Sequence, residues 1–350
     1  MAASVPEYGR SALKLSSAQR KLGDRLGDPL LRTLTWLAAA ASVVVLALLV
    51  YKVFDQASES FSHFGLSFIG TKEWNAVSGK FGAATFIYGT AISAFGALLI
   101  AGPMAIAIAL FLTELAPRPI RRPVATLVDL LAAIPSVVLG LWGILVLAPF
   151  AENHLEPALN SALGWIPLFG GTPSPFGLLP AILILTIMAV PIVAAVTREV
   201  FATVPTELKE GAFALGATRW EMVRAVILPY ARPGIVGAVI LGLGRALGEA
   251  IAVTQVIGDT AGIHASLFAP ADTLASRVAS EYQGAATTLQ ISSLAYLAAI
   301  LLVFSLLVNA AARLIVRRTT MRLRGGAAAV GIGAAATGVG VDVVEEEAEL

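Results

Sequence analysis

Two ionisable residues lie inside an otherwise apolar run: Arg245 and Glu249, within PGIVGAVILGLGRALGEAIAVTQVIG at 233–258. Twelve residues separate Pro233 from Arg245, which sets the guanidinium about 18 Å along a helix and near the middle of a bilayer. The spacing of four puts both side chains on one helical face, a turn apart. A charge at this depth costs between about 2.5 and roughly 17 kcal/mol, depending on the measure, and is paired or functional. A pair that merely neutralises itself is one reading, but it does not explain why either charge is there. The other reading is an anion site, because a guanidinium presents a planar fork of donors suited to a tetrahedral oxyanion. A neighbouring carboxylate would repel a fully ionised anion yet accept a hydrogen bond from a protonated one. Phosphate keeps a proton at neutral pH and sulfate does not, so the pair leans towards phosphate. Gly237, Gly242, Gly244 and Gly248 leave the helix lean enough for another to approach closely.

The elements that must position this pair are membrane helices. Of 350 residues 57% are hydrophobic and only 13% charged, with a mean hydropathy of +0.82, far from the balance of a soluble domain. There is no cysteine, so disulfides, thiolate metal sites and a cysteine nucleophile are excluded. His63, His154 and His264 stand far apart, each in a stretch expected outside the membrane, so no metal site is expected. No GxxxxGK[ST] string occurs, so this chain does not bind ATP through a P-loop.

Six apolar runs read as spans: Thr33–Tyr51, Phe81–Thr113 with a kink at Gly102-Pro103, Val124–Phe150, Leu178–Thr197, Pro233–Gly258 and Ala285–Ala312. The first has a charged leader and an apolar core too long for a signal peptide and reads as a retained anchor. Residues 1–32 form a basic leading segment, 33–324 the six-span domain, and 325–350 an Ala/Gly-rich tail that turns acidic and lacks any amphipathic period, expected to be disordered. Six Lys/Arg precede the first span, three lie between the second and third, five in 198–232 and five after the sixth. The opposite side has only Lys52, Lys72, Lys80 and Arg277. By the positive-inside rule both termini and 198–232 are cytoplasmic, and 151–177 is an external loop.

The segment Val204–Pro229 is the one long polar island away from the termini that is not outside the cell. Thr206 can cap a helix through Leu215, Gly216 permits the left-handed conformation that ends it, and Thr218 with Glu221 forms a capping box for a second helix running to a break at Pro229. Glu210-Gly211-Ala212, three residues, Gly216, then Val226-Ile227-Leu228-Pro229 resembles the EAA loop of ABC importer permeases, with Gly211 and Val226 as mild departures. The string GLGRALGEAIAVTQVIG, with AAIPSVVLGLWGILVLAP (132–149) and FIYGTAISAFGALLIAGPMAIAIALFLTELAP (86–117), resembles the PstC-type permease of high-affinity phosphate ABC importers over about residues 60–320.

The resemblance implies an all-α fold of the type I importer class in a bacterial-type cell membrane, forming half of a phosphate pathway. It implies a second homologous permease, a pair of ATPase subunits that bind the ATP and magnesium, an external phosphate-binding protein, and no nucleic acid. Arg245 and Glu249 become the expected phosphate residues. Glu210, Gly211, Ala212, Gly216, Leu228 and Pro229 become the expected ATPase-coupling surface. The rivals are a permease for sulfate or molybdate, an ion-coupled secondary transporter with Glu249 as proton site, and a membrane sensor. The second would usually carry internal repeats, and no convincing repeat is present.

Overall fold

The computed structural model describes the backbone of residues 22–336 and the side chains of 29–314. The described residues are helical, with one isolated two-residue bridge between Asn75 and Lys80. The first helix, α1 (Leu22–Phe64), starts inside what the sequence marks as the leading segment. Residues 1–21 of that segment lie outside the described residues. Between Pro29 and Asp55 α1 exposes apolar side chains all round, among them Leu34, Trp36, Val45 and Leu49, as a lipid-facing helix must. It is one of six helices long and apolar enough to cross a membrane.

The remainder, from Gln56 onward, is a second compact unit. Its spans are α2 (Ala84–Leu115), α4 (Ser136–Leu163), α5 (Leu178–Ala202), α7 (Arg219–Gly248) and the first part of α10 (Thr288–Ala336). Between them lie α3 (Arg118–Ala132), α6 (Thr206–Ala214), α8 (Ile251–Ile257) and α9 (Leu274–Glu281). Helix α5 is the central post and the most buried span. It packs most extensively on α2, where Ala94, Ala97, Ala101, Ala105 and Ala109 form a stripe of fully buried small residues. Alanines three and four apart fall on one face and let two backbones approach. Helix α7 packs on the other flank of α5. There a Cβ added to Gly242 would sit 2.5 Å from Val193 Cγ2, and one added to Gly234 2.5 Å from Val200 Cγ1. Only glycine fits at either place.

Several boundaries differ from those read in the sequence. The third span begins at Ser136, not Val124. Pro135 is extended (ψ 138°) and separates α4 from α3, which buries no residue. The apolar run is continuous there, but a proline disfavours helix in the residue before it. At the other end α4 continues through Glu152 and Glu156 to Leu163, so half of the expected 151–177 loop is helix. Glu156 is fully buried; its Oε2 accepts the backbone N–H of Ser174 at 2.8 Å, while its Oε1 has no partner among the described residues. The last span begins at Thr288, and its helix runs on to Ala336 through the first half of the tail expected to be disordered. Residues 337–350 of that tail lie outside the described residues.

Four wide, π-type turns interrupt these helices, at Phe111–Leu115, Gly143–Leu147, Ala151–Leu155 and Val223–Ile227. Each ends two residues before a proline: Pro117, Pro149, Pro157 and Pro229. Proline lacks the N–H that an upstream carbonyl would receive, and at Pro149, Pro157 and Pro229 the wide turn before it avoids the clash that would break the helix; before Pro117, where Ala116 is extended (ψ 130°), α2 ends. At Pro229 the consequence is direct. The expected break is absent, and α7 runs unbroken from the polar island into the membrane.

Candidate functional site

Arg245 stands three residues before the end of α7, and the helix does end there. Glu249 is extended (φ −72°, ψ 123°), Ala250 follows at φ −110°, and α8 starts afresh at Ile251. The pair therefore does not share one helical face, as its spacing of four suggested, because the second residue has left the helix. The reason lies in the side chain itself. Glu249 Oε1 accepts the N–H of Ala252 at 3.4 Å, so the carboxylate serves the free first turn of α8.

This geometry gives the two charges different surroundings. Arg245 Nη2 lies 3.8 Å from Glu249 Oε2, beyond a strong charge-assisted bond, and the side chains are 42% and 9% exposed. The carboxylate is tucked behind while the guanidinium is offered outward. Its fork opens on a cavity of about 670 Å³ between α5, α7 and α10, lined by Ile192, Leu241, Gly244, Arg245, Asn309 and Arg313 among others. Glu249 does not line it. The structure thus places Arg245 at a cavity wall and Glu249 in a supporting position beside it. Asn309 and Arg313 carry no mark in the sequence beyond being the last polar residues of a long apolar run. Their one legible signal was the spacing of four, which sets them on one face.

The polar island forms the second site. Helix α6 ends at Gly216, whose φ is +83°. Gly216 N–H donates to Phe213 O and Ala217 N–H to Ala212 O, the double closure of a Schellman turn. The capping box forms as expected: Glu221 N–H donates to Thr218 Oγ1, and Thr218 N–H to Glu221 Oε2. Thr206 does not cap α6; Pro205 precedes the helix and Thr206 is its first residue. A half-buried ion pair, Lys209 Nζ to Glu114 Oε1 at 2.7 Å, ties α6 to the end of α2. Around it lies a groove of about 510 Å³ lined by Leu110, Phe213, Trp220 and Val223. Glu210, Gly211, Gly216 and Pro229 are exposed, and Ala212 and Leu228 half-exposed. Leu215 is 91% and Trp220 66% exposed. This is a rigid knuckle with an uncovered apolar crest, the character of a docking surface.

A third polar cluster holds the segment after α8 in place. Arg277 is 5% exposed, with Asp272 at 2.6 Å, Glu281 at 2.6 Å and Asp259 at 3.1 Å, above the ring of Phe86. Burial pushes the Asp272 carboxyl up to about 7, and the Arg277 guanidinium pulls against that rise. Trp74 Nε1 and Gln290 Nε2 both donate to Glu281. The charge count had treated Arg277 only as a cation outside the membrane; it is the buried hub that joins α9 to the starts of α2 and α10.

Residues 103–321 match the family model described as the binding-protein-dependent transport system inner membrane component. A phosphate transport system permease protein PstC of Mesorhizobium japonicum is 46% identical over 301 residues, covering 85% of this chain and 92% of that one. One of the same name from Pasteurella multocida is 42% identical over 309 residues, covering 87% and 96%. Among solved structures, a bacterial ABC transporter involved in the import of alginate superposes with a TM-score of 0.58 at 21% identity, covering 84% of this chain and 99% of that one. That likeness establishes the fold, which is that of type I ABC importer permeases.

Proposed function

Because the chain belongs to the family of binding-protein-dependent transport system inner membrane components, we propose that it is the permease subunit of an ATP-driven inorganic phosphate importer. It is a multi-pass protein of the bacterial plasma membrane, a transport component and not an enzyme. The observation that carries the substrate is Arg245: a guanidinium at the wall of an open cavity between three membrane helices, turned outward while its carboxylate neighbour is turned away. An anion entering the cavity meets the open fork and forms charge-assisted bonds that a neutral solute cannot. Glu249 lies behind that fork and caps the helix that follows. The name shared by the relatives favours phosphate over sulfate or molybdate.

One such chain supplies half of a pathway. A second homologous permease faces it, an external phosphate-binding protein delivers the ion, and two ATPase subunits bind ATP and magnesium. The knuckle at Glu210-Gly211-Ala212, Gly216, Leu228 and Pro229 receives the ATPase on the cytoplasmic side. Helix α7 runs continuously from that knuckle to Arg245, so a push on one end reaches the other as rigid-body motion. The test is ATP-driven uptake of labelled phosphate into proteoliposomes holding the whole complex, with excess sulfate as competitor. Uptake that resists sulfate and vanishes with Arg245→Gln in an assembled complex supports the reading. Uptake unaffected by that substitution, or blocked equally by sulfate, refutes it.

A further inference from the structure

The Arg245–Glu249 pair carries no net charge, so by itself it lends the cavity a local donor fork but no net positive potential. We infer that Asn309 and Arg313 of α10 complete the site, with Arg313 supplying the net positive charge that lets the cavity hold phosphate. This inference rests on the phosphate-permease reading of Arg245.

The placement follows from the packing of α10 on α7. A Cβ added to Gly244 would lie 3.8 Å from Asn309 Nδ2 and 3.9 Å from its Oδ1, so the amide reaches α7 directly beside Arg245. A side chain at 244 would fill that gap; glycine keeps it open. Arg313 is four residues further on the same face, about 6 Å along the helix, and lines the same cavity. Neither Asn309 nor Arg313 has a hydrogen-bond or ion-pair partner among the described residues. Asn309 is half-buried, and an amide left without a partner there is costly unless something polar comes to it, while the exposed Arg313 reaches the cavity from its open side. The other lining residues are apolar or glycine, and no carboxylate lines the cavity. Two guanidinium groups against the one withdrawn carboxylate leave a positive field suited to a mono- or dianion. The amide can donate to one phosphate oxygen or accept from its hydroxyl.

The cysteine-free chain permits a direct test on the intact reconstituted complex. Asn309→Cys is reacted with a small anionic methanethiosulfonate, labelling of this chain is read by mass, and inorganic phosphate is added against sodium chloride of equal ionic strength. Phosphate is expected to slow labelling several-fold, and Arg313→Gln to lower phosphate uptake about ten- to hundredfold, the effect of one lost charged hydrogen bond. Arg313→Lys, which keeps the charge without the fork, should fall between Arg313→Gln and wild type. Labelling unchanged by phosphate, or uptake within twofold of wild type in Arg313→Gln, overturns the inference. If Arg245→Gln also transports normally, the phosphate-permease reading itself has failed. If Arg245→Gln is dead, only the roles of Asn309 and Arg313 are lost.

Discussion

Replacing Arg245 and Glu249 by glutamine, singly and together, separates a transport site from a structural pair. At the 3.8 Å between them, two unit charges attract by about 4 kcal/mol at an effective dielectric of 20. Water at the half-exposed guanidinium reduces this towards roughly 1 kcal/mol. Removing Arg245 alone also strands the Glu249 carboxylate, which is 9% exposed, and breaking a buried pair in this way costs about 3–5 kcal/mol. The double variant strands neither charge, so whatever stability the single variants lose should largely return. A structural pair then predicts recovery of transport along with assembly. A site predicts something different: assembly recovers, while the contact to the ion, worth about 1.5–3 kcal/mol or ten- to hundredfold in rate, does not. Assembly is read by co-purification of all subunits, and transport by phosphate uptake in proteoliposomes. A double variant that carries phosphate at near wild-type rate would refute the assignment.

Other consequences are open to measurement. Gly216→Val puts a β-branched residue at φ +83° and should strain the knuckle by about 1–3 kcal/mol; co-purification of the ATPase falls while membrane insertion is unchanged, and full ATPase occupancy would contradict the role of the knuckle. Arg277→Gln leaves the Asp259, Asp272 and Glu281 carboxylates without their shared partner and should lower the thermal midpoint of the complex sharply. Asp272→Asn should be far milder, because the raised pKa of Asp272 already leaves it partly protonated near neutrality. Gly242→Val drives a side chain against Val193, to within 2.5 Å, and should destabilise α7 against α5 by roughly 1–3 kcal/mol. Cysteines at Ser161 and Thr206 should be labelled by an impermeant reagent from opposite sides; labelling of both from outside intact cells would overturn the proposed topology.

The spans were legible because nothing but a bilayer explains apolar runs of that length with so few charges, and the knuckle because its turn chemistry is local. Gly216 and the Thr218–Glu221 box each state their conformation within a few residues. What escaped depends on partners distant in sequence. Glu156 reads as a loop residue until Ser174 is found bonded to it. Arg277 reads as a solvated cation until three carboxylates close around it. The break at Glu249 is local, yet no proline marks it; the clue is a carboxylate able to serve the N–H three residues on. Pro229 misled in the opposite sense, since a wide turn two residues upstream absorbs it instead of its ending the helix, as also happens at Pro149 and Pro157. Asn309 and Arg313 gain meaning only when α10 lies against α7.

The central claim, that Arg245 contacts the transported ion, is tested most directly by the distance between the phosphorus of bound phosphate and the guanidinium nitrogens of Arg245. Phosphorus–nitrogen dipolar solid-state NMR on the reconstituted complex, loaded with phosphate and arginine-labelled, measures it. A charge-assisted N–H···O contact of about 2.8 Å sets phosphorus and nitrogen within about 4 Å. The account predicts a coupling of that size which weakens in Arg245→Gln and is abolished when Arg313 is replaced by glutamine as well. Bound phosphate in a transport-competent complex whose coupling to arginine persists unchanged in Arg245→Gln would contradict it.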